Sequence, residues 1–108
     1  MKETHKKACE QCIKDCTKCK LECMNSNTME CVKCCEMSVL ACRLCLSVCT
    51  LNPSKALHIS SMKACHDACM NCYEECRKHT DEHCKKCAES CLKCAKSCKT
   101  HKHTMKKR

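Results

Sequence analysis

Water-avoiding positions recur along this chain every three or four residues, the period of an α-helix. Cysteine, where leucine would be usual, occupies most of them. The clearest run, Cys84-Lys-Lys-Cys87-Ala-Glu-Ser-Cys91-Leu-Lys-Cys94-Ala-Lys-Ser-Cys98, advances by three, four, three and four residues. That spacing places five thiols on one helical face, with Lys and Glu left for the others. The same CxxCxxxCxxCxxxC pattern joins Cys9, Cys12, Cys16, Cys19 and Cys23. A shifted version joins Cys65, Cys69, Cys72 and Cys76. A denser one joins Cys31, Cys35, Cys42, Cys45 and Cys49, with Ser38 at the missing step. Cys34 sits about 100° round the helix from Cys35, so these two point differently.

Four sulfur-striped helices are thereby predicted, at about 3–24, 28–51, 53–78 and 81–103. Asn27 followed by Glu30 has the spacing of a capping-box start, and Asn25 is the expected left-handed end of the first helix. Asn52-Pro53 reads as an N-cap followed by proline at the first helical position. Lys7, Lys14, Asp15 and Lys18 form the expected wet face of the first helix. Long helices joined by links of a few residues pack as antiparallel neighbours. The predicted fold is all-α, an up-down-up-down antiparallel four-helix bundle with a cysteine-lined core. The second helix carries a further stripe, Met37, Leu40, Leu44 and Leu51, opposite its cysteines. One small bundle buries one face of each helix, so this second stripe predicts contact with another protomer.

Composition sharpens the picture. The 108 residues fit one small domain, and they include 20 Cys but no Gly, Phe or Trp. Tyr73 is the single aromatic residue, so thiols must do much of the packing. The formal charge is +9 with neutral His. Lys is interspersed with Glu and Asp on every helix, and no recognition motif accompanies it, which argues against a nucleic-acid partner. No apolar run is expected to reach membrane-spanning length, and Met1–Lys7 contains no secretory leader. The expected compartment is the cytoplasm, which keeps thiols reduced.

No Ser-His-Asp set, carboxylate pair or phosphate loop is present, so no enzyme is indicated. Redox catalysis needs one activated thiol at a helix N-terminus or beside a cation, and here the CxxC pairs lie mid-helix. Thiols along one helix could pair as disulfides only with strain. Metal binding remains, and charge chooses among metals. Twenty thiolates arranged as five tetrahedral Zn(Cys)₄ sites would carry −2 each in one narrow core, a prohibitive burial. Monovalent Cu(I) held by two bridging thiolates gives one ion per cysteine and a neutral core, and soft thiolates favour Cu(I). Multi-site zinc storage or metallothionein-like buffering is the alternative.

His5, His58, Met62, His101 and Met105 extend the sulfur stripes at one end of such a bundle, beside Cys49. Together they form a predicted mouth for metal. The opposite end is expected to be closed by the links 25–28 and 79–81, with stripes ending in Cys23, Cys31, Cys76 and Cys84.

These runs on the first and last helices, the CxxxCxxCxxxC of the third and the lone Asn-Pro break resemble the bacterial four-helix-bundle copper storage proteins, the Csp family. The resemblance spans Cys9 to Cys98 and is to the leaderless, cytosolic branch. It implies a homotetramer of bundles, each core filled with many Cu(I) ions, mostly on pairs of cysteines and often on CxxxC pairs.

Overall fold

The computed structural model describes the backbone of residues 3–106 and the side chains of residues 4–98. Four helices follow in order: α1 (Glu3–Asn25), α2 (Met29–Leu51), α3 (Lys55–Cys76) and α4 (Glu82–Lys106). Each packs on its neighbours in the chain, and α4 closes the ring against α1. This is the expected up-down-up-down bundle, 43 Å along its longest extent.

The links depart from the sequence reading in an instructive way. Asn25 stays helical, and Asn27 takes the left-handed conformation at φ 62°. The Thr28 N–H donates to the Cys23 carbonyl (2.9 Å) and the Asn27 N–H to that of Met24 (3.4 Å). This is the paired 6→1 and 5→2 closure of a Schellman end, with asparagine where glycine is usual. Asn27 therefore ends α1 and does not cap α2. Thr28 holds the cap position, with no side-chain bond.

The second link shows the same economy. Asn52 is left-handed (φ 50°), and its N–H donates to the Val48 carbonyl at 2.7 Å, so it closes α2. Pro53 lies between helices. Ser54 caps α3, its hydroxyl accepting from the Leu57 N–H at 3.1 Å. A chain without glycine uses asparagine at both left-handed turns, so neither asparagine starts the next helix.

The core is sulfur. Among the described residues, every cysteine is buried except Cys49, which is half-buried. Val39, Val48, Met62, Ala88 and Ala95 are the buried apolar residues that accompany them. No leucine or isoleucine among the described residues is fully enclosed. Ser38, at the missing step of the α2 stripe, is buried too, and its hydroxyl donates to the Ala68 carbonyl across the α2–α3 seam (3.1 Å). Asp15 is not on a wet face as expected. It turns toward α4, where Ser90 donates to its carboxylate, while Gln11 donates to the same oxygen at 3.1 Å.

The second stripe of α2 faces outward. Met37, Leu40, Leu44 and Leu51 are 55, 50, 46 and 75 % exposed, so no helix of the same bundle covers them. With them an 18-residue window of α2 reaches a mean hydropathy of 1.6, and the helix is long and apolar enough to cross a bilayer by length and composition. The expectation that no run approaches that length is corrected here. The physical reason is cysteine, which counts as apolar on hydropathy scales, and the α2 cysteines face the shared core of the bundle.

Candidate metal centre

Because each stripe follows the helical period, the four helices deliver their thiols to a common axis. Cys9, Cys42, Cys65 and Cys94 form one set, one residue per helix, with all four sulfurs within 4.8 Å of each other. Cys12, Cys42, Cys69 and Cys94 form the next. Below them lie Cys16, Cys72, Cys87 and Cys91, at the level where α2 offers Ser38, 3.9 Å from the Cys91 sulfur. Cys19, Cys31, Cys35 and Cys76 follow, then Cys19, Cys23 and Cys84 with His83.

The sets overlap. Cys42 and Cys94 belong to the first and second, and Cys19 to the last two. Contacts also run between sets: Cys12 to Cys16 (3.7 Å), Cys12 to Cys91 (3.8 Å) and Cys35 to Cys87 (3.7 Å). The Cys16 and Cys87 sulfurs approach to 3.3 Å, far longer than the roughly 2.05 Å of a disulfide. All the thiols are free. The result is one continuous column in which a sulfur has several sulfur neighbours. CxxxC contacts occur at Cys12–Cys16, Cys19–Cys23 (3.9 Å) and Cys72–Cys76 (3.8 Å).

Proton sharing divides these thiols. Hydrogen bonding from Cys42 first, then Cys45, pulls Cys9 down to about 3, and Cys16 first pulls Cys35 down to about 6. Cys12, Cys65 and Cys72 are also held low by neighbouring S–H donors, and Cys16 and Cys42 are pushed up by the same sharing. Cys23, Cys31, Cys49 and Cys84, at the two ends of the column, are raised chiefly by burial.

Cys34 stands apart. Its sulfur donates back to the Cys31 carbonyl at 3.3 Å, and the residue borders a surface cleft with Glu30, Lys33, Met37 and Asn71. It is buried, but on the α2–α3 seam.

The expected mouth is partly a buried chamber. His5 is 3 % exposed and Met62 5 %. The His5 Nε2 lies 3.2 Å from the Cys45 sulfur and 3.6 Å from that of Cys9, and the Met62 sulfur is 3.3 Å from Cys45. The Ser97 hydroxyl donates to the Cys94 carbonyl at 2.7 Å, so at 2.6 Å from His5 Nδ1 it accepts. In the neutral ring that bond places the proton on Nδ1 and leaves the Nε2 lone pair facing sulfur. Burial opposes protonation of His5, but the hydrogen bond and charge of Cys9 outweigh it, and the net shift is upward. His58 is half-buried, with Nε2 3.3 Å from the Cys49 sulfur. It is the outermost of these groups. His101 and Met105 lie outside the residues whose side chains are described.

One contact was missed by sequence reasoning. His83 Nδ1 is 3.4 Å from the Cys19 sulfur and 3.6 Å from that of Cys84. His83 directly precedes a stripe residue and so falls about 100° off the stripe. Its place in the first turn of α4 was the available signal, because there the chain bends over the end of the column.

Overlapping sets of soft, buried thiols are a donor arrangement that could hold soft metal ions. The family model described as copper storage protein, Csp, matches residues 1–103. The chain belongs to the copper storage protein family. No curated protein and no solved structure matches it. As in the family's name, copper is the cargo that the Csp column would hold.

Proposed function

We propose that this chain is a cytosolic store that binds Cu(I) at roughly one ion per cysteine and is not an enzyme. The observation that carries the reading is the sharing of Cys42, Cys94 and Cys19 between four-ligand sets. Five separate Zn(Cys)₄ sites would use all 20 cysteines with none shared, which is not how these sets lie. Bridging thiolates, each shared by two monovalent ions, suit an overlapping column and leave it neutral. Four-thiolate sets with sulfurs within 4.8 Å of one another favour zinc as the second reading, and charge decides against it, since each filled Zn(Cys)₄ site keeps −2 in a core with no buried Lys or Arg among the described residues. The cytosol fits because loading requires reduced thiols, which that compartment maintains.

Ions enter past His58, where a half-buried imidazole meets Cys49, and then reach His5, Met62 and Cys45. The exposed Met37, Leu40, Leu44 and Leu51 face packs against a second copy, consistent with the tetramer that the family resemblance implies.

Anaerobic titration of the reduced protein with Cu(I), and separately with Zn(II), tests the function. Copper uptake near one per cysteine, about 20 ions, is expected. A plateau near five zinc ions with little copper would overturn it.

A further inference from the structure

The end of the bundle that carries the two short interhelical links was expected to be closed, and one half-buried side chain reaches through that closure. Three of its thiols are enclosed: Cys19 is 0 % exposed, Cys23 1 % and Cys84 1 %. The imidazole of His83 sits over them with its side chain 18 % exposed. Its inner nitrogen, Nδ1, is 3.4 Å from Cys19 and 3.6 Å from Cys84, and the four ligand atoms lie within 4.8 Å of one another. Its outer edge forms part of a surface cleft of about 240 Å³, lined also by Asp15, Lys18, Glu22, Glu82 and Lys86. One ring thus touches both solvent and sulfur.

The far nitrogen has a partner of its own. His83 Nε2 lies 3.6 Å from the Asp81 Oδ2, an ion-pair distance. That separation is too long for a hydrogen bond, so the carboxylate only attracts the outer edge of the ring and leaves the other nitrogen facing inward. Here that other nitrogen is Nδ1, the one aimed at the thiols. The sulfurs lead onward without a gap: Cys84 to Cys31 is 3.9 Å, and Cys19 also belongs to the set with Cys31, Cys35 and Cys76.

We propose that His83, with Cys19, Cys23 and Cys84, is a second exchange port for Cu(I), at the end opposite His58. This rests on the reading of the core as a Cu(I) store. Imidazole is a neutral and less soft ligand than thiolate, so an ion on His83 is held less firmly than one a step deeper. Such a ligand receives an ion, passes it to Cys19 or Cys84, and gives it up again to a competing soft ligand outside. Two half-buried histidines that touch cysteine sulfur, His58 and His83, then serve the two ends of one column, and copper leaves the store from both.

The test is removal of copper from the anaerobic, fully loaded protein by a chromophoric Cu(I) chelator, with total copper measured in the same run. In a His58→Phe background the link end is the main route. There His83→Phe is expected to slow removal by roughly tenfold, the scale on which metal-shell substitutions act. In the otherwise native chain the same change slows removal less, because the His58 end stays open. His83→Gln is run beside His83→Phe, and helicity is compared by circular dichroism, so that a folding defect in one variant does not decide the matter. In the native protein, the ring signals of ¹⁵N-labelled His83 should shift with the first additions of Cu(I). Unchanged removal rates for both His83 variants in the His58→Phe background would overturn the port, as would His83 signals that stay fixed to full loading. A native protein that takes up little Cu(I) would instead overturn the storage reading, and the total-copper measurement separates the two failures.

Discussion

Replacing Cys12 with serine probes whether copper is held by a distributed column or by separate centres. The Cys12 sulfur lies 3.7 Å from Cys16, 3.8 Å from Cys69 and 3.8 Å from Cys91, so it joins three helices. Serine offers a hard oxygen that Cu(I) disfavours. Charge neutrality sets the smallest loss: one thiolate fewer leaves one monovalent ion without its counter-charge. The three sulfur contacts set the largest, since each is one place where an ion could bridge. The capacity should therefore fall by about one to three ions from roughly 20. Fold is not the obstacle, because a helical serine hydroxyl can bond the carbonyl four residues back and avoid the roughly 1–3 kcal/mol cost of an unsatisfied buried group. The assay is anaerobic Cu(I) titration against a competing chromophoric chelator, with a Cys12→Ala control for side-chain polarity. Loss of more than half of the copper, with helicity intact, would show that Cys12 anchors a discrete cluster and would refute the column.

Two further outcomes follow from the exposed face and from burial. Lysine at both Leu40 and Leu44 should give a smaller assembly by light scattering that still takes up copper, since burying each leucine at an interface is worth about 1.5–3 kcal/mol; an unchanged mass would exclude that face as the interface. Cys23, Cys31, Cys49 and Cys84 have raised pKa values in the folded chain, first through burial. Groups raised in this way contribute stability that is present below the unfolded thiol value of about 8.5 and is lost as pH rises above it. The urea midpoint of the metal-free, reduced protein should fall between about pH 7.5 and 9.5, and a midpoint that rises over this range would contradict the burial argument.

The sulfur column was legible because its period is the helical period, and a stripe that long admits one geometry. The exposed second stripe of α2 was legible for the same reason: a helix apolar on two faces outruns what one bundle can bury. The turns were harder. Asn25, Asn27 and Asn52 are equally suited to end a helix or to begin one, and the choice is made by which carbonyls need donors, here Cys23, Met24 and Val48. His5 and Met62 were placed on the right faces but at the wrong depth. Sequence could not foresee Ser97 and Cys45 closing over the His5 ring, because that depends on how far neighbouring helices overlap. His83 was invisible to periodicity because its contact depends on how the 77–81 link bends.

The pattern of proton sharing in the metal-free column bears on how a neutral store would fill. Cys12, Cys35 and Cys72 are each held low first by Cys16, and Cys9 and Cys65 first by Cys42. A thiol has one proton, so Cys16 cannot support three thiolates at once, nor Cys42 two. Only some of the low-lying groups can therefore be ionised together. An arriving Cu(I) would remove that restriction, because a thiolate bound to metal no longer needs an S–H donor. Cys16 and Cys42 can then release their own protons to the next ion. If the proposed Cu(I) filling holds, each ion that entered would exchange for about one proton, the buried charge would stay near zero, and the affinity for copper would rise with pH. A column of this kind can fill or empty by single ions without passing through a highly charged intermediate, whereas a column of separate Zn(Cys)₄ sites would accumulate −2 with every site completed.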